Sequence, residues 1–154
     1  MSITFVAAGT LSATAASLTT TPALPAGLAS GDVLIMLVQA RGTSATVSTP
    51  TGYTAPTNNT TAITTSHRAA WFYKIATGGE VAVAVTQTVS GLIIARTYAF
   101  WGCDQTTSID VTSVSAKNGS ATTFAASSIT PASANAMAVW LFSVPDDCTF
   151  NGES

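Results

Sequence analysis

Charged residues are scarce in this chain. They make up 8% of its 154 residues, against roughly 25% in ordinary soluble domains. The hydrophobic fraction is 47%, so solubility must depend on Thr, Ser, Asn and Gln rather than on ions. Such a surface has few charges to desolvate and suits contact with other protein. A secreted or thermally robust domain would carry the same bias, and composition alone does not separate the two.

Positive charge is too sparse and too scattered for nucleic-acid binding. The net charge is −2, whereas a nucleic-acid site needs a basic stripe that neutralises phosphates. The N-terminal residues MSITFVAAGTLSATAAS lack the basic and continuous apolar regions of a signal peptide. No apolar run is long enough to span a membrane. We therefore expect no nucleic-acid partner and no membrane insertion. The basic residues are Arg41, Arg68, Lys74, Arg96 and Lys117.

Residue sets that carry out chemistry are missing as well. His67 is the one histidine, and without a GxSxG elbow a structural or exposed role is favoured over a Ser-His-Asp relay. No phosphate loop or dinucleotide fingerprint occurs. Asp146 and Asp147 follow Pro145, which favours a turn over paired catalytic carboxylates. Calcium binding by their oxygens is the minor alternative. The sequence predicts no enzyme activity, no cofactor and no metal site.

Cysteine is nearly absent. Cys103 and Cys148 allow a single pairing, and two sulfurs without CxxC spacing do not form a four-ligand metal site. A pair of free thiols and a Cys103–Cys148 disulfide both remain open. Each cysteine follows the end of a predicted strand, which would allow a bridge if the α-carbons lie within about 7 Å. A reducing cytoplasm would oppose its early formation.

The strongest positive signal is the stretch GDVLIMLVQARG, residues 31–42. Six apolar residues, Val33 to Val38, lie between a Gly-Asp turn and an Arg-Gly pair. Their β-branched content and flanking glycines predict a central strand. Because side chains alternate along a strand, Leu34, Met36 and Val38 should face one side and their neighbours the other. Both faces are apolar, so both should be covered.

Other apolar or alternating segments predict further strands, separated by turn residues. Gly78-Gly79 and Asn118-Gly119 predict hairpin turns, and Ser90-Gly91 predicts a break in the chain. Residues 9–30 are rich in Thr, Ala and Ser, and the segment TPALPAGLASGD, residues 21–32, with two prolines, predicts an extended or looped stretch. Residues 53–66 predict a long polar loop or an edge hairpin. The predicted strands cover residues 3–8, 33–38, 69–76, 80–88, 92–101, 109–114, 122–126 and 137–144.

These strands, without a capped helical pattern anywhere, predict an all-β fold. We expect residues 1–154 to form a single β-sandwich domain that is jelly-roll-like, and the threonine excess agrees. The tryptophans Trp71, Trp101 and Trp140 lie inside apolar strands, which favours core packing over stacking on sugars. The predicted core consists of Val33 to Val38, Trp71, Tyr73, Val83, Val85, Ile94, Tyr98, Val139 and Leu141.

Five segments occur in an order that resembles a set of bacteriophage and prophage virion proteins. The segments are GDVLIMLVQARG, TPTGYT, AAWFYKIATGGE, VTQTVSG and RTYAFWGCD, and the resemblance covers roughly residues 20–110. Each motif is loose by itself, and their order and spacing are more specific. The resembled proteins are tail-associated or capsid-surface structural proteins with jelly-roll-like β-sandwich domains. Cys103, between Gly102 and Asp104, departs from their pattern.

The resemblance implies a non-enzymatic virion structural protein, a capsid decoration or tail-associated component. Its partners would be other virion proteins, with many copies or a homo-oligomer on each particle, assembled in the host cytoplasm. Residues before 30 would be a candidate arm for a neighbour's sheet. The resemblance also implies further strands after MAVWLFSVPDD, so we expect the chain to lack C-terminal strands of a longer protein. The alternative is a carbohydrate-binding adhesin or receptor-binding domain that recognises a host-surface glycan.

Overall fold

The computed structural model describes residues 2–114, 127–141 and 143. The prediction of an all-β fold is confirmed, because these residues form one six-stranded antiparallel sheet and contain no helix. The arrangement is consistent with a β-sandwich, and its jelly-roll character stays a prediction. The sheet order is β1-β6-β3-β5-β4, and β2 also pairs with β6. The strands are β1 (Thr4–Ala8), β2 (Ser12–Thr20), β3 (Val33–Arg41), β4 (Thr60–Thr64), β5 (His67–Ile75) and β6 (Val85–Trp101).

Strand β3 is the middle of the sheet, as its apolar run predicts. It pairs along its length with β5 on one side and with β6 on the other. Asp32 fixes the turn before it, because its Oδ2 accepts the Ala29 N–H at 2.8 Å while Gly31 adopts a positive φ of 91°. The Gly-Asp pair of the motif therefore sets where β3 begins.

One side of the sheet packs into the main hydrophobic core, and we call it the core face. Leu34 and Val38 on β3 are fully buried, and Phe72 on β5 is 1% exposed. Loops cover this face with partly buried side chains such as Leu24 and Val47. The alternation predicted for β3 is confirmed, since Val33 and Ile35 belong to a separate cluster on the other side. The core face carries Leu34, Met36, Val38, Ala70, Phe72, Ile93, Ala95 and Ala99.

The N-terminal segment lies in the chain's own sheet. β1 pairs with the last residues of β6 and β2 with the earlier ones, so the two strands run end to end along one edge. Register shifts interrupt both pairings, and Ala16 has a positive φ of 49°. β2 is not among the predicted strands, because its Ser, Thr and Ala residues pair with β6 without presenting a strong apolar alternation.

The break predicted at Ser90-Gly91 is wrong, because β6 continues through both residues. A Cβ built on Gly91 would lie 1.7 Å from the carbonyl oxygen of Arg41. The glycine is therefore needed for close backbone approach at the end of β3, which is a known use of glycine within strands. Gly91 therefore allows two backbones to pack closely and does not form a turn.

Three other strand predictions differ from the structure. Residues 80–84 are irregular and Val81 is exposed, so Gly78-Gly79 does not form a hairpin. Instead, residues 76–84 carry the chain from β5 past β3 to β6. Residues 109–114 and the described part of 137–144 are not strands either. The predicted strand 122–126 and the Asn118-Gly119 turn lie outside the described residues.

Candidate functional site

The other side of the sheet is rich in aromatic rings, and we call it the aromatic face. In the paired register, Tyr73, Ile35 and Tyr98 form one row across β5, β3 and β6. Trp71, Leu37 and Arg96 form the next row. Most of these side chains are only half-buried, although the sequence predicts a core position for all but Arg96. The face carries Val33, Ile35, Leu37, Trp71, Tyr73, Ile75, Ile94, Arg96, Tyr98 and Phe100.

Residues 139–141 lie across this face and leave an apolar pocket beside it. The pocket has a volume of about 170 Å³. Tyr98 and Trp140 contribute aromatic rings to its wall. Phe5 of β1 extends the apolar surface, since its ring meets that of Phe100 edge-on at 5.7 Å and it is 51% exposed. The pocket is lined by Ile35, Leu37, Tyr98, Phe100, Val139, Trp140 and Leu141.

Arg96 lies on the same face as two pocket residues, opposite Leu37 in the register and two residues before Tyr98. Its Nε donates to the carbonyl oxygen of Gly9 at 2.9 Å. Its guanidinium carbon is 5.7 Å from the centroid of the Tyr98 ring, within cation–π range. These two contacts hold the guanidinium beside the Tyr98 ring, next to an apolar surface. A planar fork of this kind suits bidentate recognition of a carboxylate.

His67 begins β5, at the far end of the sheet from Ile75. It is 3% exposed, and its Nε2 lies 3.1 Å from the Oγ of Ser143. Burial lowers the pKa of the imidazole, and the neighbouring Arg41 lowers it further. The hydrogen bond holds Ser143 against the sheet, and Leu141 packs against the sheet as well. The expectation of a structural position for His67 agrees with this geometry.

A second charged group lies beside the core face. Lys74 forms an ion pair with Glu80, and its ammonium lies 5.5 Å from the centroid of the Tyr53 ring. The hydrogen bond from Lys74, followed by that from the Thr77 N–H, lowers the pKa of Glu80. Burial raises the pKa of Tyr53 to about 12. These contacts tie the loop after β5 to the TPTGYT turn, so Tyr53 serves packing.

The residues that the sequence singles out for special chemistry do not come together in the described part of the chain. Cys103 is half-buried just after β6, where burial and then the nearby Asp32 raise the pKa of its thiol. Cys148, Asp146 and Asp147 lie outside the described residues, so the disulfide and calcium alternatives stay predictions. Within residues 2–114, 127–141 and 143, no three His, Cys, Asp or Glu side chains cluster as metal ligands. The same residues include no helix that could cross a membrane.

Two tryptophans are more accessible than the sequence predicts. Trp101 and Trp140 are 48% and 49% exposed, so core packing is the wrong prediction for both. Val139, also expected in the core, is exposed. The reason is tertiary: β6 ends at Trp101 on the outer edge of the sheet beside β1, and residues 139–141 lie on the surface of the aromatic face. The apolar runs in the sequence do not show that these three side chains lack a cover among the described residues.

Arg96 is the site residue that sequence reasoning missed. The sequence shows it among scattered basic residues, and only its period-two spacing from Tyr98 indicates a shared face. The described site thus combines aromatic rings, an aliphatic floor and one oriented cation. No family model, curated protein or solved structure matches this chain.

Proposed function

We propose that this chain is a non-enzymatic structural protein of a bacteriophage particle, a capsid decoration or tail-associated component that binds other virion proteins. The observation that carries the proposal is the aromatic face. It places half-buried Trp71, Tyr73 and Tyr98 on a rigid sheet, next to exposed Phe5 and Trp140. Aromatic residues and arginine with few other charges are the composition of protein–protein contact cores.

Four of the five segments of the virion-protein resemblance lie in or beside the central strands β3, β5 and β6. GDVLIMLVQARG forms the turn before β3 and the strand itself, AAWFYKIATGGE contains most of β5, and the last two segments lie in or just after β6. TPTGYT forms a turn in which the Tyr53 N–H donates to the Pro50 carbonyl at 3.0 Å and the ring enters the core. The resemblance therefore rests on the residues that build the sheet, which supports a shared architecture as the basis of the proposal.

The face is a better contact surface than the edges of the sheet. On one edge, β1 and β2 carry the register shifts that natural proteins use to discourage edge-to-edge pairing. On the other edge, β4 has only 5 residues. Because β1 and β2 pair with β6, the N-terminal segment is part of the sheet here rather than a free arm. Modest affinity per copy is sufficient when many copies bind one particle by avidity.

The proposal is tested by offering the purified protein to particles that lack it. We expect saturable, stoichiometric attachment, which co-sedimentation followed by imaging of the particle would quantify. Substitution of Trp140 by Ala should weaken attachment, and Trp101→Ala, which removes an equally exposed indole at the edge of the sheet, is the matched control. Absence of attachment at any concentration would contradict the proposal.

A carbohydrate-binding adhesin or receptor-binding domain is the second candidate, because exposed Trp101 and Trp140 could stack on sugar rings. Residues 53–66, which include the edge strand β4, are a poor platform, since their one aromatic residue, Tyr53, is 8% exposed and belongs to the core. A glycan panel probed with the wild type and both tryptophan variants separates the candidates. Glycan binding that either variant abolishes, without attachment to particles, would favour the adhesin.

A further inference from the structure

We infer that the pocket beside Arg96 receives an extended segment of a partner protein that carries a large apolar side chain and, two residues away, a carboxylate. This inference deepens the proposed function and rests on it, because it specifies the chemistry of the protein partner. The apolar side chain would enter the pocket between Tyr98 and Trp140, and the carboxylate would meet the Arg96 guanidinium.

The size of the pocket indicates which apolar side chain of the partner it can accept. Its volume is about 170 Å³, and its wall contains two aliphatic side chains from β3, Ile35 and Leu37. An apolar protein cavity of about 150 Å³ accommodates a benzene ring. The pocket therefore has room for one phenyl ring or one branched aliphatic side chain.

The contacts of Arg96 indicate why the partner segment should carry a carboxylate. Its Nε is used by the Gly9 carbonyl, and the described residues offer no carboxylate within ion-pair distance. The two terminal nitrogens of the guanidinium therefore have no ionic partner in the described part of the chain. A carboxylate binds such a fork through two parallel hydrogen bonds, with more geometric specificity than a point charge allows.

The spacing between these two features matches an extended peptide. Leu37 in the pocket wall is the register partner of Arg96, and Tyr98 is two residues beyond Arg96 on the same face. Side chains at i and i+2 of a strand share a face and lie about 6.6–6.8 Å apart along it. A segment of the form apolar-x-acidic could thus place one side chain in the pocket and the next on Arg96.

The charge of the sheet favours a different protein over a second copy of this chain. The six strands contain four cationic side chains, Arg41, Arg68, Lys74 and Arg96, and no Asp or Glu. Arg41 and Arg96 both lie on the aromatic face by strand alternation. Stacking two copies through this face would bring like charges together, whereas an acidic partner would neutralise them.

The test uses the full chain and a synthetic peptide, acetyl-Thr-Phe-Thr-Asp-Thr-amide, with binding followed by NMR shifts of the labelled protein. We expect saturable shifts at Leu37, Tyr98 and Trp140. Replacing the peptide Asp by Asn should weaken binding roughly threefold, the scale of a half-exposed ion pair, and replacing Phe by Ser should abolish it. Arg96→Gln should remove the preference for Asp, and Arg96→Lys should restore part of it.

Matched variants keep the outcome decisive. Trp140→Ala should weaken peptide binding at least several-fold, while Trp101→Ala should leave it unchanged, with denaturant unfolding confirming that each variant is folded. Equal binding of the Asp, Asn and Ser peptides, or shifts confined to other surfaces, would overturn the inference. So would a concentration-dependent dimer that blocks the pocket.

The same variants separate this inference from the proposed function. Particle attachment that Trp140→Ala and Arg96→Gln both leave intact would overturn the pocket's role while the structural function stands. Peptide binding with the expected pattern, but without attachment to particles, would uphold the pocket and remove the virion proposal.

Discussion

Leu34 and Leu37 are both leucines of β3, yet they meet different surroundings. Leu34 is fully buried on the core face, whereas Leu37 is half-buried in the wall of the pocket on the aromatic face. We expect Leu34→Ala to lower the free energy of unfolding by about 2–5 kcal/mol, because the cavity left in a packed core is not refilled. Leu37→Ala should cost less, since part of its surface already contacts water. Urea unfolding of both variants measures the difference, and equal losses would show that the aromatic face is covered.

His67 gives the protein a pH dependence of known sign. Burial and then Arg41 lower the pKa of the folded imidazole, so it lies below the value of about 6.5 for a free histidine. As the pH falls, the unfolded chain therefore takes up a proton before the folded one does. The stability gained by keeping His67 neutral is complete above about pH 6.5 and is lost progressively below it.

The check on His67 is denaturant unfolding between about pH 7.5 and pH 5. The wild type should lose stability across this range, while His67→Gln, which cannot titrate, should lack that component. Glu80 acts in a separate window, since its lowered pKa confines its effect to pH values below about 4.5. An identical slope in the wild type and the His67→Gln variant would show that another group is responsible.

At the scale of elements, β6 holds the sheet together because it pairs with β1, β2 and β3. Its unbroken course depends on Gly91, where an added Cβ would lie 1.7 Å from the Arg41 carbonyl oxygen. We expect Gly91→Ala to lower the free energy of unfolding by about 1–3 kcal/mol or more, the usual cost of overpacking. The reason is that the backbone of Arg41 or of Gly91 must move to admit the new Cβ. Gly79→Ala is the control, since no atom lies within 4 Å of its added Cβ. Thermal unfolding of the two variants should rank them in that order.

At the scale of the whole molecule, scarcity of charge should make stability nearly independent of salt. Lys74–Glu80 is the one ion pair within the described residues, and Debye screening acts mainly on exposed charges. Between about 50 mM and 500 mM NaCl we expect the free energy of unfolding to change by less than about 1 kcal/mol. Urea unfolding at the two concentrations tests this. Marked loss of stability at high salt would indicate ionic contacts elsewhere in the chain.

The parts of the fold that the sequence predicts correctly are those with a strong local pattern. The apolar run of β3, the alternation in residues 69–75 and the aromatic end of β6 each match a strand. The sequence does not predict β2, because Thr, Ser and Ala give it no hydrophobic period, and β2 is held in the sheet by its pairing with β6. Residues 80–84 alternate like a strand but find no neighbour to pair with, since β5 and β6 lie on opposite sides of β3.

The all-β class and the division of β3, β5 and β6 into two faces follow from the sequence, because alternation is a local property of extended backbone. Which of the two faces is fully covered depends on the tertiary structure. Loops with Leu24, Leu28 and Val47 close the core face, while residues 139–141 cover the aromatic face in part and leave Trp140 accessible. Burial depends on what lies opposite a side chain in space, and on the aromatic face that contact joins residues about a hundred positions apart in the chain.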